Sequence, residues 1–138
     1  MTHQPSPSNA SEIVQAMWDN DLFSQWLGIE RNLIAPGEAK LSMLVRPEMC
    51  NGFGIAHGAI TYALADSALA FASNSRGRKA LSIETSISHL RPVYPGDTLI
   101  ATTHEKHVGG KTGIYEVIIQ KSGDKTVALF KGTVFYND

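Results

Sequence analysis

The stretch that decides the fold is AITYALADSALAFASN, residues 59–74. It is dense in alanine, and its small residues lie on every side of a helix with about 3.6 residues per turn. A helix that is apolar nearly all round is typical of burial against a sheet. Asp66 is the one charged residue in it, and residues 58–75 contain no lysine or arginine that could pair with this carboxylate.

The segments before this helix predict a short amphipathic helix, or two, and then a pair of strands. Ser11 is a plausible N-cap, and Gly28 is a C-terminal stop. A Pro36-Gly37 turn separates the two strands, and the second strand alternates apolar with polar residues. The predicted ranges are 11–28 for the helical segment, 29–35 and 39–45 for the strands, and 47–57 for a loop.

After the helix, every segment has the pattern of a strand, and the turns contain glycine. The order is therefore helix, two strands, one long buried helix and a meander of antiparallel strands, which predicts an α+β fold. Residues 11–138 are predicted to form a single domain, and the polar residues 1–10 a flexible N-terminal arm. The predicted strands are 81–90, 98–107, 112–121 and 126–136.

Composition excludes several classes of function. Of 138 residues, 43% are hydrophobic, which is enough for the core of one domain. The net charge of -1 lacks the basic excess that nucleic acid binding needs. The chain has no apolar run of about 18 residues, so no membrane span is expected. Cys50 is the only cysteine, and the start lacks the pattern of a signal peptide, so a reducing, cytoplasmic location is expected.

Asp66 has two interpretations. It faces solvent or caps a neighbouring backbone group, or it is a catalytic base or nucleophile in a partly apolar site. Gly58 lies where the helix starts, so its N–H could bind a developing oxyanion, although His57-Gly58 is also an ordinary way to begin a helix. Asn51 could hold a water or a substrate carbonyl, or only form an Asn-Gly turn. His57 could bind substrate or stabilise the loop.

The spacing between Gly58 and Asp66 adds a further inference. Eight residues of helix separate them by about 12 Å, whereas an oxyanion donor and an attacking group must meet at one carbonyl. Two antiparallel helices related by a two-fold axis could bring Gly58 of one subunit beside Asp66 of the other. If these residues share a site, the protein is a dimer or a larger even assembly.

Together these motifs resemble the hot-dog-fold acyl-CoA thioesterases, in particular the subgroup of phenylacetic acid degradation (PaaI-type). The resemblance covers nearly the whole chain. It rests on Asn51-Gly52, His57-Gly58, Asp66, SHLRPVYPGDTL (88–99), TGIYEV (112–117) and KTVALFKG (125–132). It implies a hot-dog fold, in which an antiparallel sheet wraps around a long central helix. It also implies hydrolysis of acyl-CoA such as phenylacetyl-CoA or hydroxyphenylacetyl-CoA.

The resemblance also implies roles for these residues. Asp66 would activate water or attack the thioester carbonyl, the Gly58 N–H would bind the oxyanion, and Asn51 and His57 would position water or the thioester. The assembly would be a homodimer with active sites at its interface, pairing further into a homotetramer. One departure is Ala59, where the family usually has a second glycine. Ala59 adds a methyl group near the acyl or pantetheine path, so it affects which substrate the site accepts.

Residues after the helix add candidate binding groups. In this family the strand after the helix often lines the ligand groove. Alignment on Arg91-Pro92 assigns Ser82, Glu84 and His89 to that groove, and Ser82 could hold the attacking water. Ordinary strand residues are the alternative. Arg91 and Lys111 are candidates for the CoA phosphates, against the alternative of scattered surface charge.

Two other functions fit parts of the pattern. A dehydratase or hydratase of the same fold has a Pro-Gly segment that runs into the central helix, whereas Pro95-Gly96 here runs into a strand. A non-catalytic acyl-CoA-binding protein fits the fold but gives Asp66 no role. No metal is expected, because the five histidines and Cys50 lack ligand spacing. No cofactor is expected either, since the CoA thioester is the substrate.

Overall fold

The computed structural model describes residues 7–138. Within this range the chain forms three α-helices, a 3₁₀ turn and six β-strands. In chain order these are α1 (Pro7–Asn20), α2 (Leu22–Leu27), β1 (Glu30–Ala35), β2 (Glu38–Leu44), the 3₁₀ turn (Pro47–Met49), α3 (Gly58–Asn74), β3 (Ala80–His89), β4 (Thr98–Val108), β5 (Thr112–Lys121) and β6 (Lys125–Tyr136).

The first helix begins earlier than the sequence pattern indicates. α1 starts at Pro7, so the predicted N-cap, Ser11, lies inside the helix. Proline fits a first turn because its φ is already helical and its missing N–H would have no partner there. Residues 7–10 therefore belong to α1 rather than to the predicted arm. The rest of that arm, residues 1–6, lies outside the described residues.

The predicted amphipathic segment is two helices rather than one. Asp21 separates them and caps α2, because its side chain accepts a hydrogen bond from the Ser24 N–H at 2.9 Å. α2 ends at Gly28, as predicted from the sequence. Gly28 adopts a φ of 76°, a left-handed conformation that glycine adopts without strain. Its N–H donates to the Gln25 carbonyl at 3.0 Å.

The six strands form one antiparallel sheet in the order β1-β2-β4-β5-β6-β3. The predicted simple meander is wrong for β3, which pairs with β6 at the sheet edge and not with β4. The link between β3 and β4 instead crosses the loop that leads into α3. Its backbone is satisfied there, because Ala56 donates to the Val93 carbonyl at 2.7 Å and Val45 donates to the Asp97 carbonyl at 2.9 Å.

The long helix α3 packs its apolar surface on the sheet. Leu64, Leu69 and Phe71 are completely or almost completely buried. The helix approaches β6 so closely that a Cβ added at Gly132 would lie 2.5 Å from Leu69 Cδ2. Glycine at position 132 therefore sets the distance between helix and sheet. No helix within residues 7–138 is long and apolar enough to cross a lipid bilayer.

The end of α3 is tied to the sheet by a polar network. Arg76, just after the helix, forms a two-pronged ion pair with Glu105 of β4, with distances of 3.0 and 2.6 Å. Tyr115 of β5 donates to the same carboxylate at 2.8 Å. The Ser75 hydroxyl accepts from the Gly37 N–H in the β1–β2 turn at 2.8 Å. These contacts fix the helix and therefore the side chains that it carries.

One strip of α3 is not covered in the single chain, which corrects the expectation of nearly all-round burial. Ala59, Tyr62, Asp66 and Ala70 recur at helical spacing and remain partly or fully exposed. This strip adjoins the sheet edge at β3, where the outward side chains include Leu81, 58% exposed.

Candidate active site

Asp66 lies on the uncovered strip of α3 and faces the first residues of β3. It lines a cavity of about 130 Å³, which we call the Asp66 cavity, together with Ser73, Ser82 and apolar side chains. Burial raises the pKa of the Asp66 carboxyl above its ordinary value, and the negative charge of Asp21 raises it further. Among residues 7–138, no hydrogen bond or ion pair stabilises the carboxylate. This chemistry suits a group that takes up a proton or attacks a substrate.

Asp21 is a charged neighbour of Asp66 that was not predicted from the sequence. Its carboxylate accepts a hydrogen bond from the Ser24 hydroxyl at 2.6 Å, and that hydroxyl lies 2.8 Å from the hydroxyl of Ser67. Ser67 directly follows Asp66 on α3, so this chain of hydrogen bonds ties the start of α2 to the Asp66 turn. The Asp-x-x-Ser spacing identifies a helix cap in the sequence, but its contact with α3 is tertiary.

A second cavity, of about 420 Å³, opens at the start of α3, and we call it the helix-start cavity. Its lining combines the loop before α3, the first turn of the helix, the end of β3 and the link that follows. The polar or glycine residues among its lining are Asn51, Gly58, Thr61, His89 and Arg91. Four predicted site residues, Asn51, Gly58, His89 and Arg91, therefore meet here.

Gly58 is the first residue of α3, and its N–H donates to no group within residues 7–138. A Cβ added at Gly58 would lie 3.0 Å from Nε2 of His89, which is tighter than an ordinary contact. The absence of a side chain at position 58 therefore makes room for the imidazole of His89 beside the free N–H. The prediction from the sequence placed a ligand carbonyl against Gly58 and did not include this imidazole.

Asn51 organises the loop that borders the helix-start cavity. Its side-chain oxygen accepts hydrogen bonds from the backbone N–H groups of Phe53 at 2.9 Å and Ile55 at 3.4 Å. Both partners are donors, so the orientation of the amide is fixed by its hydrogen bonds. The Nδ2 group of Asn51 therefore remains available to donate a hydrogen bond to a ligand or a water.

A β-bulge decides which residues of β3 face the helix. The register shifts between Ser82 and Glu84. Ser82 pairs with buried Val134 and faces α3, whereas Glu84 pairs with Thr133 on the outer face of the sheet. Beyond the bulge His89 faces α3 again. Ser82 and His89 thus line the two cavities, and Glu84 lines neither of them.

The other candidates are spread more widely. His57 is the N-cap residue of α3, but its side chain is exposed and lines neither cavity. Arg91 borders the helix-start cavity and donates to the Thr126 carbonyl. Lys111 lies in the β4–β5 turn, where its carbonyl accepts from the backbone N–H of Tyr136, and it borders neither cavity. Within the described range no three His, Cys, Asp or Glu side chains are grouped to hold a metal ion.

The two cavities share no lining residue. The chain thus separates Gly58, at the start of α3, from Asp66, two turns along, as their spacing in the sequence predicts. Thr85 is a further residue that was not predicted from the sequence. Its hydroxyl lies 2.7 Å from that of Tyr62, between the two cavities, where β3 meets α3.

Comparisons with known proteins agree with this architecture. The family model described as Thioesterase superfamily matches residues 53–128. The chain is 42% identical over 117 residues to the acyl-coenzyme A thioesterase PaaI of Escherichia coli (strain K12), covering 85% of this chain and 84% of the relative. It is also similar to the solved structure of the E. coli PaaI protein, with a TM-score of 0.91, 38% identity and 96% of both chains covered.

A mutant structure of the phenylacetic acid degradation protein PaaI from Thermus thermophilus is similar as well. Its TM-score is 0.80 at 40% identity, with 83% of this chain and 98% of that chain covered. The predicted family and the predicted hot-dog fold are thereby confirmed. The chain belongs to the thioesterase superfamily, as a hot-dog-fold thioester hydrolase of the PaaI type.

Proposed function

We propose that this enzyme hydrolyses acyl-CoA thioesters to the free acid and CoA, with Asp66 as general base or nucleophile. The observation that carries the proposal is the carboxylate of Asp66, half-buried on the central helix with a raised pKa. The E. coli relative is named an acyl-coenzyme A thioesterase, which supports the substrate class.

In the general-base route Asp66 takes a proton from water as the water oxygen bonds to the acyl carbon. The carbonyl electrons move onto oxygen, where the N–H of Gly58 stabilises the negative charge. When the C=O bond re-forms, the C–S bond breaks and the CoA thiolate leaves. Its sulfur then takes up the proton that Asp66 accepted. In the alternative route Asp66 attacks the acyl carbon directly, the C–S bond breaks and the CoA thiolate leaves. Water then hydrolyses the anhydride to the free acid and the Asp66 carboxylate, and the thiolate takes up the proton that water releases.

Either route needs Asp66 and Gly58 at one carbonyl, so the proposal includes a second copy of the chain. Two antiparallel α3 helices packed through their uncovered strips would place Gly58 of one subunit beside Asp66 of the other. The apolar side chains at the β3 edge support this contact, because Leu81 and Ile83 are 58% and 61% exposed. From the family resemblance we also propose that this homodimer pairs further into a homotetramer. The proposed location of the enzyme is the cytoplasm.

Arylacetyl thioesters such as phenylacetyl-CoA and hydroxyphenylacetyl-CoA are the proposed substrates. The Thermus relative carries phenylacetic acid degradation in its name. Ala59, on the uncovered strip beside Gly58, is the residue whose methyl group would narrow the acyl or pantetheine path. Asn51 and Ser82 would hold the attacking water, and Arg91 would meet a CoA phosphate. No metal or other cofactor takes part in the proposal.

A panel of acyl-CoA thioesters with a free-thiol readout tests the function. We expect release of CoA to be fastest with arylacetyl-CoA substrates. No release from any member of a broad panel would contradict the proposal. Tight binding of acyl-CoA without turnover would favour a non-catalytic binding protein instead.

The pH dependence of kcat/KM tests the role of Asp21. Activity requires the ionised base, so kcat/KM should rise with pH through the pKa of Asp66. Asp21→Asn keeps a capping side chain on α2 but removes a negative charge that raises this pKa. The acidic limb of the profile should therefore move to lower pH.

The matched control is Asp19→Asn, which removes an exposed charge from α1 that is not among the causes of the Asp66 shift. This control should leave the acidic limb where it is in the wild type. An acidic limb that stays in place in Asp21→Asn would show that the charge of Asp21 does not act on the base.

A further inference from the structure

The helix-start cavity contains a buried hydroxyl that the mechanism above does not use. Thr61 is only 3% exposed and lines the cavity, and its side chain has no hydrogen-bond partner within residues 7–138. Tyr136 Oη is the one side-chain polar atom of the described chain that is both sealed from solvent and unbonded. Since the Thr61 hydroxyl is also unbonded but is not in that class, it is accessible to solvent, and it opens on the cavity that Thr61 lines.

The position of Thr61 on α3 directs this hydroxyl towards the start of the helix. Thr61 comes three residues after Gly58, so both lie on one face of the helix. Side chains on a helix lean towards its N-terminus, which brings the hydroxyl towards the first turn and its free N–H. A buried, unpartnered hydroxyl next to an unpartnered backbone N–H has the chemistry to bind an oxygen that carries negative charge.

His89 approaches the same place from the sheet. It pairs with buried Ala128 and so faces α3, and its Nε2 lies 3.0 Å from the position that a Cβ on Gly58 would take. The imidazole has no hydrogen-bond partner within residues 7–138, and it lines the same cavity as Thr61. Every tautomer of imidazole carries an N–H donor.

We infer that Thr61 and His89 are catalytic residues that donate hydrogen bonds to the thioester carbonyl oxygen beside the N–H of Gly58. Both donors keep their protons throughout, since their role is to stabilise the charge that develops on that oxygen when the acyl carbon is attacked. The inference rests on the proposed function, and it assigns three donors to the oxyanion instead of one.

The experiment measures kcat and KM on the best acyl-CoA of the panel for two variants that each remove one donor. Thr61→Val keeps the shape of the side chain, and His89→Phe keeps a ring against Gly58. An interaction made mainly in the transition state lowers kcat more than it changes KM. We expect each variant to lose about 10- to 100-fold in kcat, somewhat less than the loss of a single dominant donor.

Conservative variants separate donation from packing. Thr61→Ser and His89→Gln retain a donor and should recover most of the lost kcat. Thr102→Val and His104→Phe on β4 are matched controls outside both cavities, and they should behave as wild type. Thermal unfolding of every variant confirms that each one is folded.

The outcomes distinguish this inference from the function on which it rests. If the wild type is active and Asp66→Asn is not, but Thr61→Val and His89→Phe keep wild-type kcat, only the inference is overturned. It is overturned as well if these variants raise KM alone, or if the donor-retaining variants fail to recover kcat. A wild type that hydrolyses no acyl-CoA overturns both.

Discussion

Replacing Asp66 with asparagine is expected to lower kcat for acyl-CoA hydrolysis by about 10³-fold, within the range known for the loss of a general base. Asparagine keeps the shape of the side chain, but it can neither accept a proton from water nor attack a carbonyl. The binding groups of the helix-start cavity are unchanged, so the Kd for acyl-CoA, measured by calorimetry, should stay close to that of the wild type.

The same variant should be at least as stable as the wild type in thermal unfolding. Burial raises the pKa of Asp66 in the folded chain, so stability falls as pH rises from the ordinary pKa of an aspartate to the raised pKa of the folded state, and the loss persists at higher pH. The amide removes that unfavourable ionisation. Asp124→Asn, in an exposed turn where asparagine also tolerates the φ of 57°, is a matched control that should keep full activity. Retention of more than about a tenth of kcat in Asp66→Asn would remove Asp66 from the mechanism.

A single turnover in oxygen-18 water separates the two roles of Asp66. As a general base, Asp66 forms no bond to the acyl group, so the label appears only in the released acid. As a nucleophile, it forms an anhydride, and water that attacks the carboxyl carbon of Asp66 leaves the label in the protein. Label in the peptide that contains Asp66, detected by mass spectrometry, therefore identifies the nucleophilic route.

Much of the fold follows from local patterns in the sequence. The range predicted for the central helix, 59–74, differs by one residue from α3, and the predicted strand 112–121 coincides with β5. Glycine turns and alternating apolar residues carry enough information for these elements because each is decided within a few residues. The position of β3 at the sheet edge depends on contacts between distant segments, and no local pattern encodes it.

In the candidate site, too, local features could be predicted from the sequence and contacts between distant segments could not. Asp66 and Gly58 stand out in the sequence because a lone acid and a helix start are local features. Glu84 is assigned to the groove by alignment along β3, but the bulge after Ser82 turns it to the outer face. Asp21 could not be predicted because its contact with α3 runs through Ser24 and Ser67, which are far apart in the chain.

The second large effect is expected for Gly58→Pro, which removes the proposed oxyanion donor while keeping the helix start. Proline is favoured at the first position of a helix, and His57 before it already has a φ of -56° and a ψ of 140°, which suit a residue that precedes proline. We expect kcat to fall by about 10²- to 10³-fold, the range for one lost oxyanion donor. Gly58→Ala is the matched control, because it introduces the same Cβ against His89 but keeps the N–H. If both variants lose activity equally, the loss comes from the contact with His89 and not from the N–H.

Mixed dimers extend this experiment to the assembly. Gly58→Pro and Asp66→Asn chains, coexpressed in equal amounts, form dimers of which about half contain one chain of each kind. If each site takes Gly58 from one subunit and Asp66 from the other, every mixed dimer contains one intact site. Two chains that are inactive alone should then give about a quarter of wild-type activity together. A site within one chain would give no recovery, since each chain carries a defect in its own site. The separation of Gly58 and Asp66 along one helix is thus turned into a measurable property of the dimer.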